Sequence, residues 1–544
     1  MLETYARDSN RLLFWLLLLL LMALLYNLGG WGVVETSEAR YAEISREMWL
    51  TGDYLHPRLL GIQHYHKPPL TYIISAFGME LFGPSAFGAR FFLQLSLILQ
   101  ALLVYVIGKE IFGNSKQALT AAIIYLTIPA VLLAARNLTT DSFLTTFELA
   151  AIWSWIKYRK DTKAAWLYFF YLLLALAFLT KGPVGLIFPV LIAFGYSRPK
   201  TESINRSSGW HHLPALLLFL VVGASWYVYL MLQNPDFVDY FLFKHTVQRY
   251  ANPETFGRSK PWWFYLVLAP ALSLPWAAIL LIKLKKLKEL PTPLKRLFIL
   301  WILVPLVFFS FSGSKLILYI LPLFAGQALL TAWLLYQLAP ESMAKATKGS
   351  ILYFLVLAIV LLLVPLLPIG IKLPYWVYIF PVLMLAVLFL LWKRPAAALT
   401  KLLASALAFI LLLLPYSTHL MGSNPQLMKG SRPIAQIIQN KQLQNRTILV
   451  YDNLLPSLAF ELNKSIISIK EKSRHLHREI QFETDEKWQR GLLDINEPAA
   501  VTQLQTLLLQ PTVLVVKDEL PKKQEWFLKH YRNSQKSGRW TVYY

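Results

Sequence analysis

The chain has 544 residues, of which 56% are hydrophobic and only 15% charged, with no cysteine and a formal net charge of +23. That balance excludes an ordinary soluble enzyme, and the missing cysteines exclude disulfides, thiolate ligands and a cysteine nucleophile. The positive charge does not indicate nucleic acid, because much of the Lys and Arg sits in short connections between apolar runs, where it sets membrane topology.

Runs of 17 or more apolar residues recur along most of the length, and segments of about ten residues with alternating polarity are missing. An all-α polytopic membrane protein is therefore expected. Its first run, Leu12 to Leu28, is too long for a signal-peptide core and has no small-residue cleavage site nearby, so it reads as a retained span. Further spans are expected near residues 86–112, 117–135, 142–158, 164–180, 182–197, 212–232, 261–282, 295–312, 316–338, 349–368, 374–392 and 396–417, about thirteen with the first. With a cytoplasmic N-terminus, every inward loop carries a Lys and Arg excess: Lys109 and Lys116, then Lys157 to Lys163, Arg198 to Arg206, Lys283 to Arg296, Lys345 and Lys348, and Lys393 to Lys401. The opposite, outer face receives residues 30–85, the loops around 136–141, 181 and 312–315, and the longer loop 233–260.

After about residue 420 the composition becomes that of a soluble domain. The segments RTILVYD, SIISI, PTVLVVKD and RWTVYY read as short strands with helices between them, giving a small α/β domain over 430–544 on the outer face. The basic run Lys470 to Arg478 reads as a solvated or lipid-facing surface. The membrane domain is then 1–420, with a hydrophilic, half-helical outer segment at 30–85.

Candidate chemistry gathers on that outer face. Glu35 and Glu38 stand at a helix start, where acids also favour the dipole, and Glu43, Arg46 and Glu47 fit an amphipathic helix lying on the membrane. His64, His66 and Lys67 precede Pro68 and Pro69, which bar a helix and enforce an extended turn. Two histidines at i, i+2 spacing are metal-capable but not diagnostic. Asp141 opens a span, and Lys181 and Lys315 interrupt apolar runs at outer ends, where snorkelling is the alternative reading. Acids, Lys, Arg and His from separate segments thus share one face. A lipid-linked phosphate requires such cations, and an acceptor hydroxyl requires a carboxylate base.

The segments SEARYAEISREM at 37–48, HKPPL at 66–70, TTDSFLT at 139–145, LTKGP at 179–183, FKHTVQRY at 243–250, PWWFY at 261–265 and SGSKLILYILP at 312–322 resemble, in joint order, the bacterial GT-C glycosyltransferases. These are related to protein O-mannosyltransferases and include the lipid A aminoarabinose transferases; the resemblance spans most of residues 10–420. It implies inverting transfer of a sugar from an undecaprenyl (polyprenyl) phosphate donor to a periplasmic acceptor, lipid A or a protein hydroxyl, with membrane lipids as the medium. It further implies Asp141 as one catalytic carboxylate and Glu35 or Glu38 as the other, since Ser37 stands where the family usually places an Asp before Glu38. By the same resemblance Lys67 and Lys181 contact the donor phosphate, and Arg136, Arg249, Lys315 and Tyr319 support it. His66 and His245 occupy positions at which the aminoarabinose transferases hold zinc, so a divalent metal is implied there, with His66 in place of a Glu.

Two other classes compete. A lipid-linked-sugar transporter or flippase places ionisable groups near the membrane midplane, as Glu148 does, and shows repeated halves, which this sequence lacks. A non-catalytic scaffold needs no cluster of charge on one face.

Overall fold

The computed structural model describes residues 2–196, 209–241, 260–368, 370–425, 427–473, 476–478 and 480–544. They form two compact units that alternate along the chain: 1–26, 66–70 and 93–417 in the first, and 27–65, 71–92 and 418–544 in the second.

Among its described residues the first unit is built of helices, as backbone in hydrocarbon must be if its polar groups are to be satisfied internally. Among the described residues of both units, seven helices are long and apolar enough to cross a membrane, and ten are if each of three bent pairs counts as one span. That count, taken by length and composition alone, falls three short of the expected thirteen without overturning it, because it treats three of the expected spans differently. Residues 164–180 and 182–197 form one 32-residue candidate, Ala164–Gly195, interrupted by a 3₁₀ turn at Gly182–Leu186. The helix Thr140–Asp161 carries Asp141, Glu148 and a basic last turn, and the helix Leu323–Tyr336 has only 14 residues.

The bent pairs break where the sequence removes backbone donors or loosens the helix. Ser115–Leu126 and Pro129–Arg136 meet at 59°, and Phe264–Ala271 and Trp276–Ile282 at 112°. Pro129, Pro270 and Pro275 each lack an N–H. The two breaks satisfy one another, because the Ala130 N–H donates to the Leu272 carbonyl at 3.0 Å and the Trp276 indole N–H to the Thr127 hydroxyl at 3.1 Å. Irregular backbone at this depth is tolerated where protein buries it.

In the second unit, β3 (Thr447–Tyr451), β4 (Ile467–Lys470), β5 (Leu492–Asp494), β6 (Thr512–Lys517), β7 (Ser534–Ser537) and β8 (Trp540–Tyr543) make one sheet, ordered β5-β4-β3-β6-β8-β7. The first four of that order run parallel, and the β7–β8 hairpin is antiparallel. Central β3 and β6 are near-continuous Val, Ile and Leu because both faces of a parallel strand are covered. The short hairpin Arg58–Leu59 (β1) and Ile62–Gln63 (β2) lies in the same unit. So does the helix Ser37–Thr51, whose Ile44 and Met48 share a core with Ile434, Leu458 and Val515.

The charges of that helix do not form the exposed polar face expected of an amphipathic surface helix. Glu43 and Arg46 are fully buried and bonded bidentately at 2.6 and 2.8 Å, and Arg46 also donates to the Asn463 side chain at 3.2 Å. The paired charges at i, i+3 hold one helix against another segment of protein, a use that helical spacing alone does not distinguish from an amphipathic face.

Candidate active site

Three helix ends of the first unit bring the central groups together. Asp141 occupies the first turn of Thr140–Asp161, where its charge favours the helix dipole, and Thr139 donates its hydroxyl to Oδ2 at 3.1 Å. Lys181 closes the helix Ala164–Lys181, and its Nζ donates to Asp141 Oδ1 at 2.5 Å. The chain can turn sharply after Lys181 because Gly182 adopts φ +76°, a conformation that residues bearing a Cβ rarely take. Tyr319, in the turn Ile317–Ile320, places its ring 4.4 Å from the Lys181 ammonium, a cation–π contact.

The segment that carries Tyr319 is fixed just before its turn. The Tyr265 hydroxyl donates to the Leu316 carbonyl at 2.7 Å and accepts the Leu316 N–H at 3.1 Å. Lys315 is buried, and its ammonium donates to the carbonyls of Ser312 and Lys260 at 2.6 and 2.9 Å. Lys315 therefore holds the loop ends together rather than presenting its charge to the Asp141–Lys181 pair.

Asp141, Lys181 and Tyr319 line a cavity of about 10 Å³, room for one water, whose other walls are largely apolar. Leu144, Thr145 and Glu148 of the same helix also line it, so positions i, i+3, i+4 and i+7 from Asp141 face inward together. Glu148 is 1% exposed and its Oε2 has no hydrogen-bond partner among the described residues. From sequence this residue reads as a transporter feature, although its seven-residue spacing from Asp141 is the signal that both share a face.

The other expected residues divide clearly. His66 and Lys67 belong to the same compact unit as Asp141 and Lys181 and are half-buried; the His66 ring stacks on Tyr240 with centroids 6.3 Å apart. Arg136 ends the helix Pro129–Arg136 and donates to the Leu24 carbonyl at 2.8 Å, in the same unit. His245 and Arg249 lie outside the described residues. Glu35 and Glu38 belong to the second unit. Glu38 is buried and bound by Arg90, whose Nε and Nη2 donate to its two oxygens at 2.7 Å each, and it also accepts the Val34 N–H. Glu35 accepts the Ser457 N–H at 2.8 Å, and burial raises its carboxyl from the usual 4.5 to about 7. Among the described residues no three His, Cys, Asp or Glu side chains converge on a possible metal position.

The fold defines the class first: a multi-pass helical membrane protein. The structure of ArnT from Cupriavidus metallidurans in the apo state matches with a TM-score of 0.78 at 23% identity, covering 98% of both chains. ArnT bound to undecaprenyl phosphate matches at 0.76 and 22%, covering 97% of both, and at these identities the likeness establishes the fold. In sequence, residues 66–229 match the dolichyl-phosphate-mannose-protein mannosyltransferase family. The chain resembles undecaprenyl phosphate-alpha-4-amino-4-deoxy-L-arabinose arabinosyl transferases. It is 31% identical over 326 residues to one from Pseudomonas fluorescens, covering 58% of each chain, and 31% over 365 residues to one from Pseudomonas paraeruginosa, covering 65% of each. The matched region thus spans about three fifths of those relatives' own length.

Proposed function

We propose that the protein is a glycosyltransferase of the inner membrane that moves a sugar from undecaprenyl phosphate to a hydroxyl acceptor on the periplasmic side, with lipid A as the acceptor. The observation that carries this reading is the Asp141–Lys181 pair beside Tyr319, a carboxylate and an ammonium 2.5 Å apart in apolar surroundings. Both residues fall within the segment that matches the mannosyltransferase family, and the relatives' names supply the donor and the aminoarabinose sugar.

In this mechanism the acceptor hydroxyl gives its proton to the Asp141 carboxylate, and its oxygen attacks the anomeric carbon from the face opposite the phosphate. The bond from that carbon to the phosphate oxygen breaks, and the phosphate leaves with the electron pair, which inverts the anomeric centre. Lys181 and Lys67 stabilise the charge that develops on the departing phosphate, as preorganised cations in a water-poor site do most effectively. Donor binding draws the Lys181 ammonium toward phosphate and frees Asp141 to act as base. Glu35 stays a candidate second carboxylate on the family resemblance alone. Zinc held by His66 and His245 rests on the family resemblance and takes part in none of these steps. Equal zinc content in the wild type and in the His66→Ala, His245→Ala double variant would remove it.

The test is transfer by the purified, lipid-reconstituted chain from radiolabelled undecaprenyl phosphate aminoarabinose, with lipid A and a Ser/Thr peptide as separate acceptors. Label on lipid A is expected. Label on the peptide alone would instead favour the protein-glycosylating reading that the matched family's description supports.

A further inference from the structure

An apolar cavity of about 400 Å³ opens in the first unit where the helix pair Phe264–Ala271 and Trp276–Ile282 turns through 112°. Its volume falls within the roughly 300–1,000 Å³ usual for small-molecule sites. The walls are almost wholly Leu, Ile, Phe, Ala and Pro, and the two polar groups inside, Ser273 and Gln327, satisfy each other at 2.9 Å. Little in that lining could hold water, and several rim residues, including Leu266, Leu281 and Leu303, are exposed. In a bilayer such a wedge is filled by a hydrocarbon chain.

What the chain is attached to follows from charge. One lining residue is ionic, Lys295, an exposed side chain in the short helix Thr292–Phe298. Residues 283–296 around it contain Lys283, Lys285, Lys286, Lys288, Lys295 and Arg296 against a single acid, Glu289, which pairs with Lys286. From Thr292 the helical run climbs to Phe311, 20 residues and about 30 Å at 1.5 Å each, before reaching Ser312 to Lys315. The basic mouth and the Lys315–Tyr319 segment of the candidate active site therefore lie at opposite ends of one span.

We propose that this cavity binds one anionic phospholipid, an acyl chain filling the wedge behind the broken helix and the phosphate resting on Lys295 and the neighbouring lysines. Basic pockets between membrane helices attract anionic headgroups, each cation contributing about fivefold in affinity near the surface. The donor of the proposed reaction does not fit these observations, because its phosphate is required at the far end of the same span and brings no anion to Lys295. The lipid completes packing that the sequence leaves open at Pro270.

The experiment is native mass spectrometry of the full chain from nanodiscs of palmitoyl-oleoyl phosphatidylglycerol or phosphatidylcholine, which needs no catalytic assay and so stands or falls apart from the glycosyltransferase reading. One retained phosphatidylglycerol per chain is expected, at least fivefold favoured over phosphatidylcholine. Lys295→Glu, at an exposed position, should fold and reduce that preference at least fivefold, whereas Lys393→Glu at another basic loop should leave it unchanged. Ala277→Phe, which fills the cavity, should remove the retained lipid altogether. Equal retention of both phospholipids by the wild type, an unaltered preference in Lys295→Glu, or recovery of added undecaprenyl phosphate at this position would each overturn the proposal.

Discussion

Glu38 with Arg90 and Asp141 with Lys181 are both buried pairs of a carboxylate and a cation, yet their hydrogen bonds are arranged for different ends. Arg90 is wholly buried and donates to both oxygens of Glu38, to the carbonyls of Leu28 and Gly32, and lies 4.3 Å over the Trp31 ring. Its planar fork meets acceptors fixed on several sides, which is how an arginine locks a structure. Lys181 meets Asp141 through a short contact, with an aromatic face on another side and a water-sized cavity alongside. A flexible ammonium of that kind can exchange one anion for another, whereas the Arg90 fork cannot move without leaving several groups unsatisfied.

That contrast is broken most severely at Asp141. Asp141→Asn keeps the shape, an acceptor for Thr139 and an amide oxygen for Lys181 but removes the proposed base, so transfer in the reconstituted assay should fall about 10²- to 10⁴-fold, while thermal unfolding should shift less than in Arg90→Ala, where no acceptor or donor replaces the lost fork. Arg90→Ala should do the reverse. Leaving Glu38 as an uncompensated buried charge costs about 3–5 kcal/mol, read as early thermal unfolding and proteolysis of the unit that holds the sheet. Arg90→Lys should not rescue it, since one ammonium cannot reach acceptors on both sides of the fork. Equal loss of stability in Asp141→Asn and Arg90→Ala would erase the distinction between the two pairs.

Tyr319 sharpens the comparison from the Lys181 side. Removing the ring in Tyr319→Leu takes away a cation–π contact of about 0.5–2 kcal/mol, so affinity for undecaprenyl phosphate should weaken roughly 2- to 30-fold. Tyr319→Phe keeps the ring face and should stay within about twofold of wild type. A Tyr319→Leu protein that binds the lipid as well as Tyr319→Phe would show that the ring does not help to hold Lys181 for phosphate.

The sequence makes much of this visible, for physical reasons that also mark its limits. Apolar runs and loop charge declare a helical membrane protein, because hydrocarbon permits little else. They do not declare a span count, since Pro129, Pro270, Pro275 and Gly182 divide apolar runs in ways hydropathy does not register. The motif segments put Asp141 and Lys181 forward 40 residues apart, and only folding brings them to 2.5 Å. Arg90 escapes notice because it sits within the apolar helix Ala86–Phe112, far in sequence from the Glu38 it binds. Lys315 has the position of a phosphate ligand, yet in the fold its ammonium is engaged by two backbone carbonyls.

Glu35 provides the finest test, because its carboxyl is shifted by burial and belongs to neither pair. Its pKa in the folded protein is raised from the ordinary 4.5 to about 7, with the Ser457 N–H only partly opposing the cost of desolvation. The protonated form is therefore favoured by folding. Its stabilising contribution is complete below pH 4.5, declines as pH rises, and is gone once pH passes about 7. The unfolding temperature of the wild type should fall across that window, and Glu35→Gln, neutral at every pH, should flatten this part of the profile. If Glu35 also serves as a base, transfer should rise as its carboxyl loses a proton near pH 7, and that limb should vanish in the same variant. A flattened stability profile with an unaltered rate profile would make Glu35 a structural acid, leaving Asp141 as the carboxylate on which the chemistry depends.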